Sequence, residues 1–182
     1  TYLHYGMIAL RLSILLLSTL GWLGYLRKKM RVEFALGVFL TGVGSLMFAA
    51  GIFHVMKEAV WLVFFGGLWL MVREIRSHPD RKAGIRSFLK GFCRPGMEVF
   101  AALVVFFMVL LFRSEFTHYD NFSHWGVAAK VISQKDMFPN PADTNVTFTS
   151  YPLGSAAFIY YITEIVGTAP EWLPMWAQAV LM

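Results

Sequence analysis

Long apolar runs broken by short charged intervals make up this chain, and a run that crosses hydrocarbon needs about 20 residues as a helix. Tyr5 to Leu26 meets that length with Arg11 as its one charge, whose stem can snorkel toward an interface. Val32 to about Val55 is a second run, with Gly37, Gly42, Gly44, Ala49, Ala50 and Gly51 as small residues that let helices approach closely. Lys57-Glu58 reads as a tight hairpin, Ala59 to Val72 as a returning helix that borrows hairpin residues to reach spanning length, and Met97 to Phe112 as a fourth span. A fifth span starts near Pro152 and runs to about Val166, and a sixth begins after Pro170 or Pro174. The start at Thr1 and the stop at Met182, inside an apolar run, are expected of a fragment. The expected fold class is therefore all-α, a multi-span transmembrane helical bundle with an outer amphipathic surface helix. Residues 1–112 form a four-span amino-terminal bundle, 113–151 an outer loop with the surface helix, and 152–182 the fifth span and the start of a truncated sixth.

Composition narrows the solvent. Hydrophobic residues make up 57% of the 182 and charged residues only 15%, where soluble domains carry about 25% charged. A single cysteine, Cys93, allows no internal disulfide, and no Cys/His spacing matches a structural zinc site. The net charge of +5 would raise the question of nucleic acid, but the positions of the charges answer it. Eleven of the 16 Lys and Arg residues fall in two clusters, Arg27 to Arg31 and Arg73 to Arg94, each lying between apolar runs. That is the positive-inside pattern of cytoplasmic loops, so no nucleic-acid partner is expected and membrane lipid is. Parity of the spans then puts the Lys57 hairpin and the segment from Arg113 to about Ser150 outside, and that segment is the less basic one, with three basic against four acidic residues. Within the second cluster, Ile85, Phe88, Leu89 and Phe92 recur at helical spacing, which fits a topology-setting charged loop or an amphipathic helix on the inner leaflet.

Polar and ionisable residues concentrate in Glu115-Phe-Thr-His-Tyr-Asp-Asn-Phe-Ser-His-Trp-Gly126, just outside the fourth span. From about Asn121 to Ser133, Phe122, Trp125, Ala129 and Ile132 form an apolar stripe at intervals of three and four. A helix lying on the outer membrane surface follows, with Trp125 at headgroup level and Asp120 and His124 sharing another face. Asp120 has two readings: a carboxylate cap for that helix, or a catalytic group. The spacings among His118, Asp120 and His124 are too loose to specify a metal, and none is expected. Asn121-Phe-Ser123 and Asn145-Val-Thr147 match the N-glycosylation triplet, which has no meaning without a glycosylating compartment.

Tyr119-Asp120-Asn121-Phe122-Ser123-His124-Trp125-Gly126, followed by Ser150-Tyr151-Pro152-Leu153-Gly154-Ser155, resembles bacterial multi-spanning glycosyltransferases of the GT-C class. The likeness covers roughly Arg113 to Ile162: an acidic outer loop after a span, a surface amphipathic helix and a Pro-containing turn into the next helix. Protein O-mannosyltransferases and lipid A aminoarabinose transferases share that arrangement, with Pro-Pro-Leu where this chain has Tyr151-Pro152-Leu153. Many members have Asp-Glu at the loop motif; here Asn121 takes the second position and leaves Asp120 as the one base. The resemblance implies transfer of a sugar from polyprenyl phosphate to a glycan, lipid or protein acceptor of the cell envelope, at the outer face of a bacterial plasma membrane. No cofactor is implied beyond the lipid-linked donor. A lipid-phosphate leaving group is already a weak base, so one carboxylate, Asp120, suffices to take the acceptor proton, and cations hold the departing phosphate. Arg113, Lys130 and His124 are candidates for the second role, and Tyr151 for a hydrogen bond to phosphate or sugar. The rival class is a transporter or flippase of lipid-linked glycans, in which Asp120 and His124 guide substrate; Glu164, late in the fifth span, points that way. A non-catalytic membrane scaffold is a third reading.

Overall fold

The computed structural model describes residues 2–117, 125–140, 142–143, 153–168 and 170–182. These form eight helices, with no strand among the described residues: α1 (Tyr2–Leu26), α2 (Val32–Ile52), α3 (Met56–Arg76), α4 (Arg81–Lys90), α5 (Pro95–Leu111), α6 (Trp125–Lys135), α7 (Gly154–Val166) and α8 (Trp172–Leu181). Charge placed at their ends suits the helix dipole: Glu33, Glu58 and Glu98 lie in first turns, and Arg73 and Arg76 close α3. Pro95 opens α5, at the position where its missing N–H costs nothing. The turn between α2 and α3 sits at residues 53–55, where His54 adopts a left-handed φ of 57°, so Lys57 and Glu58 belong to the first turn of α3 and not to a hairpin tip.

Among the described residues, two helices are long and apolar enough to cross a membrane, Leu3–Leu26 and Val32–Ile52 of α1 and α2; α4 and α5, bent by 86° at the break between them, add a third if counted as one span. Only 28% and 33% of the two apolar windows is buried, so most of their side chains need an apolar surrounding from outside the chain. The uncharged stretch of α3, residues 59–72, reaches about 21 Å as a helix, short of a hydrocarbon core of about 30 Å. α7 is shorter still, about 20 Å.

The chain divides into two compact units, Thr1–Thr41 with Leu62–Val105 and Gly42–Trp61 with Phe106–Met182. In the first, α1 and α3 run parallel with their backbones nearly touching. Ser18 Oγ donates to the Phe64 carbonyl at 2.7 Å, and Trp22 Nε1 to that of Val63 at 2.8 Å. A Cβ at Gly21 would lie 1.9 Å from the Gly67 carbonyl oxygen, and one at Gly67 would lie 2.3 Å from that of Ser18, so only glycine fits at either position. The glycines expected to carry close packing behave differently: a Cβ at Gly37, Gly42 or Gly44 would meet nothing within 4 Å. Among the α2 glycines, Gly51 alone is covered, by the Phe138 ring. A run of small residues permits close approach on several faces, and the neighbour decides which face is used.

In the second unit α7 packs on both α6 and α8. It is buried on nearly every side, from Ala156 to Thr163 and again at Ile165 and Val166, as an all-round apolar helix must be. Gly167, at φ 69°, ends it in the left-handed region and donates its N–H to the Thr163 carbonyl. Of the described part of the stripe expected to face the headgroups, Trp125 is half-buried with its ring against Phe116, while Ala129 and Ile132 are buried, and α6 packs on α7. The same periodicity serves a lipid surface or a neighbouring helix, and here a helix takes these side chains.

Candidate functional site

A cavity of about 330 Å³ opens in the second unit among α6, α7 and the chain leading into α8. Lys130, Ser133 and Gln134 of α6 face it, with Thr163 and Glu164 of α7, Thr168 and Glu171 of the α7–α8 connection, and Phe116 and Gly126 from either side of residues 117–124. Helical spacing explains the α6 contribution, since residues 130, 133 and 134 share one face. Ser133 Oγ and Thr163 Oγ1 lie 3.1 Å apart and lock the register of α6 on α7.

The two carboxylates are held differently. Glu171 Oε2 accepts the Phe116 N–H at 2.7 Å, fixing the segment that leads into residues 117–124. The Phe116 and Trp125 rings meet edge-on at 5.6 Å, so the two ends of that segment are side by side. Glu164 lies 3.6 Å from Lys57 Nζ, which is also 3.3 Å from Asp136 Oδ2. Asp136 ends α6 at a left-handed φ of 56° and accepts the Tyr160 hydroxyl at 2.7 Å. One lysine at the start of α3 thus ties the end of α6 to the wall of the cavity. Lys130 is exposed, and its ammonium has no ion-pair or hydrogen-bond partner among the described residues.

Of the residues singled out from the sequence, Lys130 lines this cavity. Arg113 does not: it follows α5 at a left-handed φ of 67°, exposed. Asp120, His124, Tyr151 and His118 lie outside the described residues, as do both glycosylation triplets. Glu171 carried no signal in the sequence, because it lies 41 residues from Lys130 in a Pro-flanked turn and matches no motif. Glu164 stood out only as an ionisable residue in an apolar run. Among the described residues, no group of three or more His, Cys, Asp or Glu side chains is arranged to hold a metal ion. The arrangement combines one cation, hydroxyls, an amide and two carboxylates, a mixture suited to a polar, hydroxyl-bearing ligand. Comparison with protein-family models, curated proteins and solved structures finds no match, and the functional reading rests on the chain's own residues.

Proposed function

We propose that this chain is part of a bacterial plasma-membrane glycosyltransferase, a multi-span helical protein. It moves a sugar from a polyprenyl-phosphate donor to a cell-envelope acceptor at the outer face. The observation that carries the reading is that Phe116 and Gly126, which flank the motif bearing Asp120 and His124 in the sequence, both lie in the wall of the cavity that Lys130 lines. In the reaction, the acceptor oxygen attacks the anomeric carbon as the bond to the lipid phosphate breaks, with inversion. Asp120 takes the hydroxyl proton, and Lys130, with His124, offsets the charge gathering on the phosphate. Tyr151 donates to phosphate or sugar. Glu171 is a positioning residue that acts through the Phe116 backbone. The basic loops define the opposite, cytoplasmic face.

Asp120→Asn in the full-length protein tests the base. Asn caps a helix about as well as Asp, so a purely structural role leaves turnover near normal, whereas loss of a general base lowers it about 10²–10⁴-fold with folding and donor binding retained. Retained turnover would remove the assignment. The transport reading is favoured by Glu164, an ionisable residue on apolar α7. In that case movement of a labelled lipid-linked glycan across vesicles would persist where sugar transfer is absent.

A further inference from the structure

A second cavity, of about 510 Å³, lies in the first unit, where the α1–α2 turn meets the ends of α3 and α4. Four cations line it, Arg27, Lys28, Arg31 and Arg94, against two carboxylates, Glu33 and Glu74. Their positions show which charges build the wall and which are available. Lys28 is ion-paired with Glu74. Arg27 is structural: its Nη1 donates at 2.9 Å to the Phe88 carbonyl in the last turn of α4, which also accepts the Gly91 N–H at 3.3 Å. Its guanidinium also lies 5.2 Å and 4.8 Å from the centres of the Phe88 and Phe92 rings. A Cβ at Gly91 would sit 1.4 Å from that nitrogen, so the missing side chain makes the seat. Arg31 and Arg94 are exposed, and their guanidinium groups have no ion-pair or hydrogen-bond partner among the described residues.

We propose that this cavity binds the phosphate headgroup of an anionic phospholipid at the membrane face shared by the two basic loops. The net charge of its lining is +2, which a headgroup with two phosphates neutralises. Arg31 and Arg94 supply the planar, bidentate donors that suit phosphate oxygens. Lipid, and not free phosphate, follows from what surrounds the cavity. α4 leaves α5 at 86°, so it runs across the end of that helix, and Ile85 and Leu89, four residues apart, are exposed on it beside basic Arg81, Lys82, Arg86 and Lys90. Apolar and basic positions alternating on one short helix belong at a headgroup–acyl boundary, and basic pockets beside spans bind anionic headgroups. The inference rests on α1 and α2 crossing a membrane and is independent of the transferase reading, because its measurement requires no turnover.

The test uses the whole chain in a neutral detergent, titrated with cardiolipin, phosphatidylcholine or inorganic phosphate and followed by native mass spectrometry. Saturable cardiolipin binding is expected, at least about tenfold tighter than phosphatidylcholine, with no comparable affinity for phosphate. Arg31→Ala with Arg94→Ala should weaken it about 30-fold, about fivefold for each charge removed. Lys29→Ala with Arg76→Ala removes the same charge outside the cavity and should leave affinity within about threefold. If the alanine pair lowers thermal stability, Arg31→Gln with Arg94→Gln replaces it. Equal loss from both pairs would mean diffuse surface charge and overturn the proposal. Phosphate binding as tightly as cardiolipin, or no preference over phosphatidylcholine, would overturn it as well.

Discussion

The two units are built from the same apolar alphabet and solve different problems with it. In the first, α1 and α3 meet through Gly21, Gly67 and Ser18, backbone against backbone, while bulky residues such as Leu3, Phe34, Leu62 and Trp69 face outward. In the second, the helices α6 to α8 turn bulky residues inward, with Phe158, Tyr160, Tyr161 and Trp172 buried and polar groups gathered around a cavity, while Phe53, Phe106 and Val109 elsewhere in that unit stay exposed. When lipid takes the large side chains, helix contacts gain nothing from burying them again, and small residues decide the interface. Where protein must supply the apolar surrounding itself, aromatic side chains fill the core and most polar groups are paired, the buried Trp172 indole N–H having no hydrogen-bond partner among the described residues. High hydrophobicity in a sequence therefore does not say which kind of interior it will make.

That contrast breaks first if chemistry and stability cannot be separated. Lys130→Ala is expected to lower sugar transfer about 10²–10³-fold, as loss of a charge-stabilising donor does, with an unchanged melting temperature. A fall in melting temperature matching the fall in turnover would make the cavity a packing feature. The first unit should respond in the opposite sense. Gly67→Val is expected to cost about 3 kcal/mol or prevent folding, since its branches would meet the Ser18 backbone. Gly37→Ala, in open space, should be neutral or stabilising by up to about 1 kcal/mol. Thermal unfolding in detergent checks both, and similar responses at the two glycines would contradict the close α1–α3 contact.

Smaller effects sharpen the second unit. Tyr160→Phe removes the hydroxyl bonded to Asp136, at an expected cost of about 2 kcal/mol for a bond to a charged acceptor. A cost under about 0.5 kcal/mol would mean that the pairing adds nothing beyond ring burial. The smallest effect concerns acid. Lys135, followed by the Asn140 N–H, holds the Asp143 carboxyl below the usual carboxylate range. A depressed carboxylate contributes stability that is complete above its unfolded value of about 3.9 and is lost as pH falls through the lowered folded value. Nothing should change between about pH 5 and 8 from this group. In Lys135→Ala the Asp143 carboxyl carbon should titrate at higher pH, and an unmoved NMR titration would contradict the ion pair.

Helix positions were largely legible. α1, α2 and α5 lie within a few residues of the runs bounded by charge, because a long uninterrupted apolar stretch ending in Arg, Lys or Pro has few other ways to satisfy its backbone. The candidate site was legible in two residues, Lys130 and, as an ionisable residue in an apolar run, Glu164. Glu171 could not be found by pattern, since its role depends on meeting Phe116, 55 residues earlier.

The sequence by itself determined that this is a helical chain whose longest runs suit lipid, whose basic residues crowd into two loops, and whose ionisable motif sits apart from both. Those are local properties, set by composition and charge along a few turns of chain. Only the tertiary structure decided that Gly21 and Gly67, and not the glycines of α2, make the close contact, and that Ala129 and Ile132 of the α6 stripe are buried in the unit where α6 packs on α7. It also decided that Lys57 joins Asp136 and Glu164 beside Lys130. Periodicity identifies a face, but the identity of what covers that face depends on residues tens of positions away, and no local pattern encodes it.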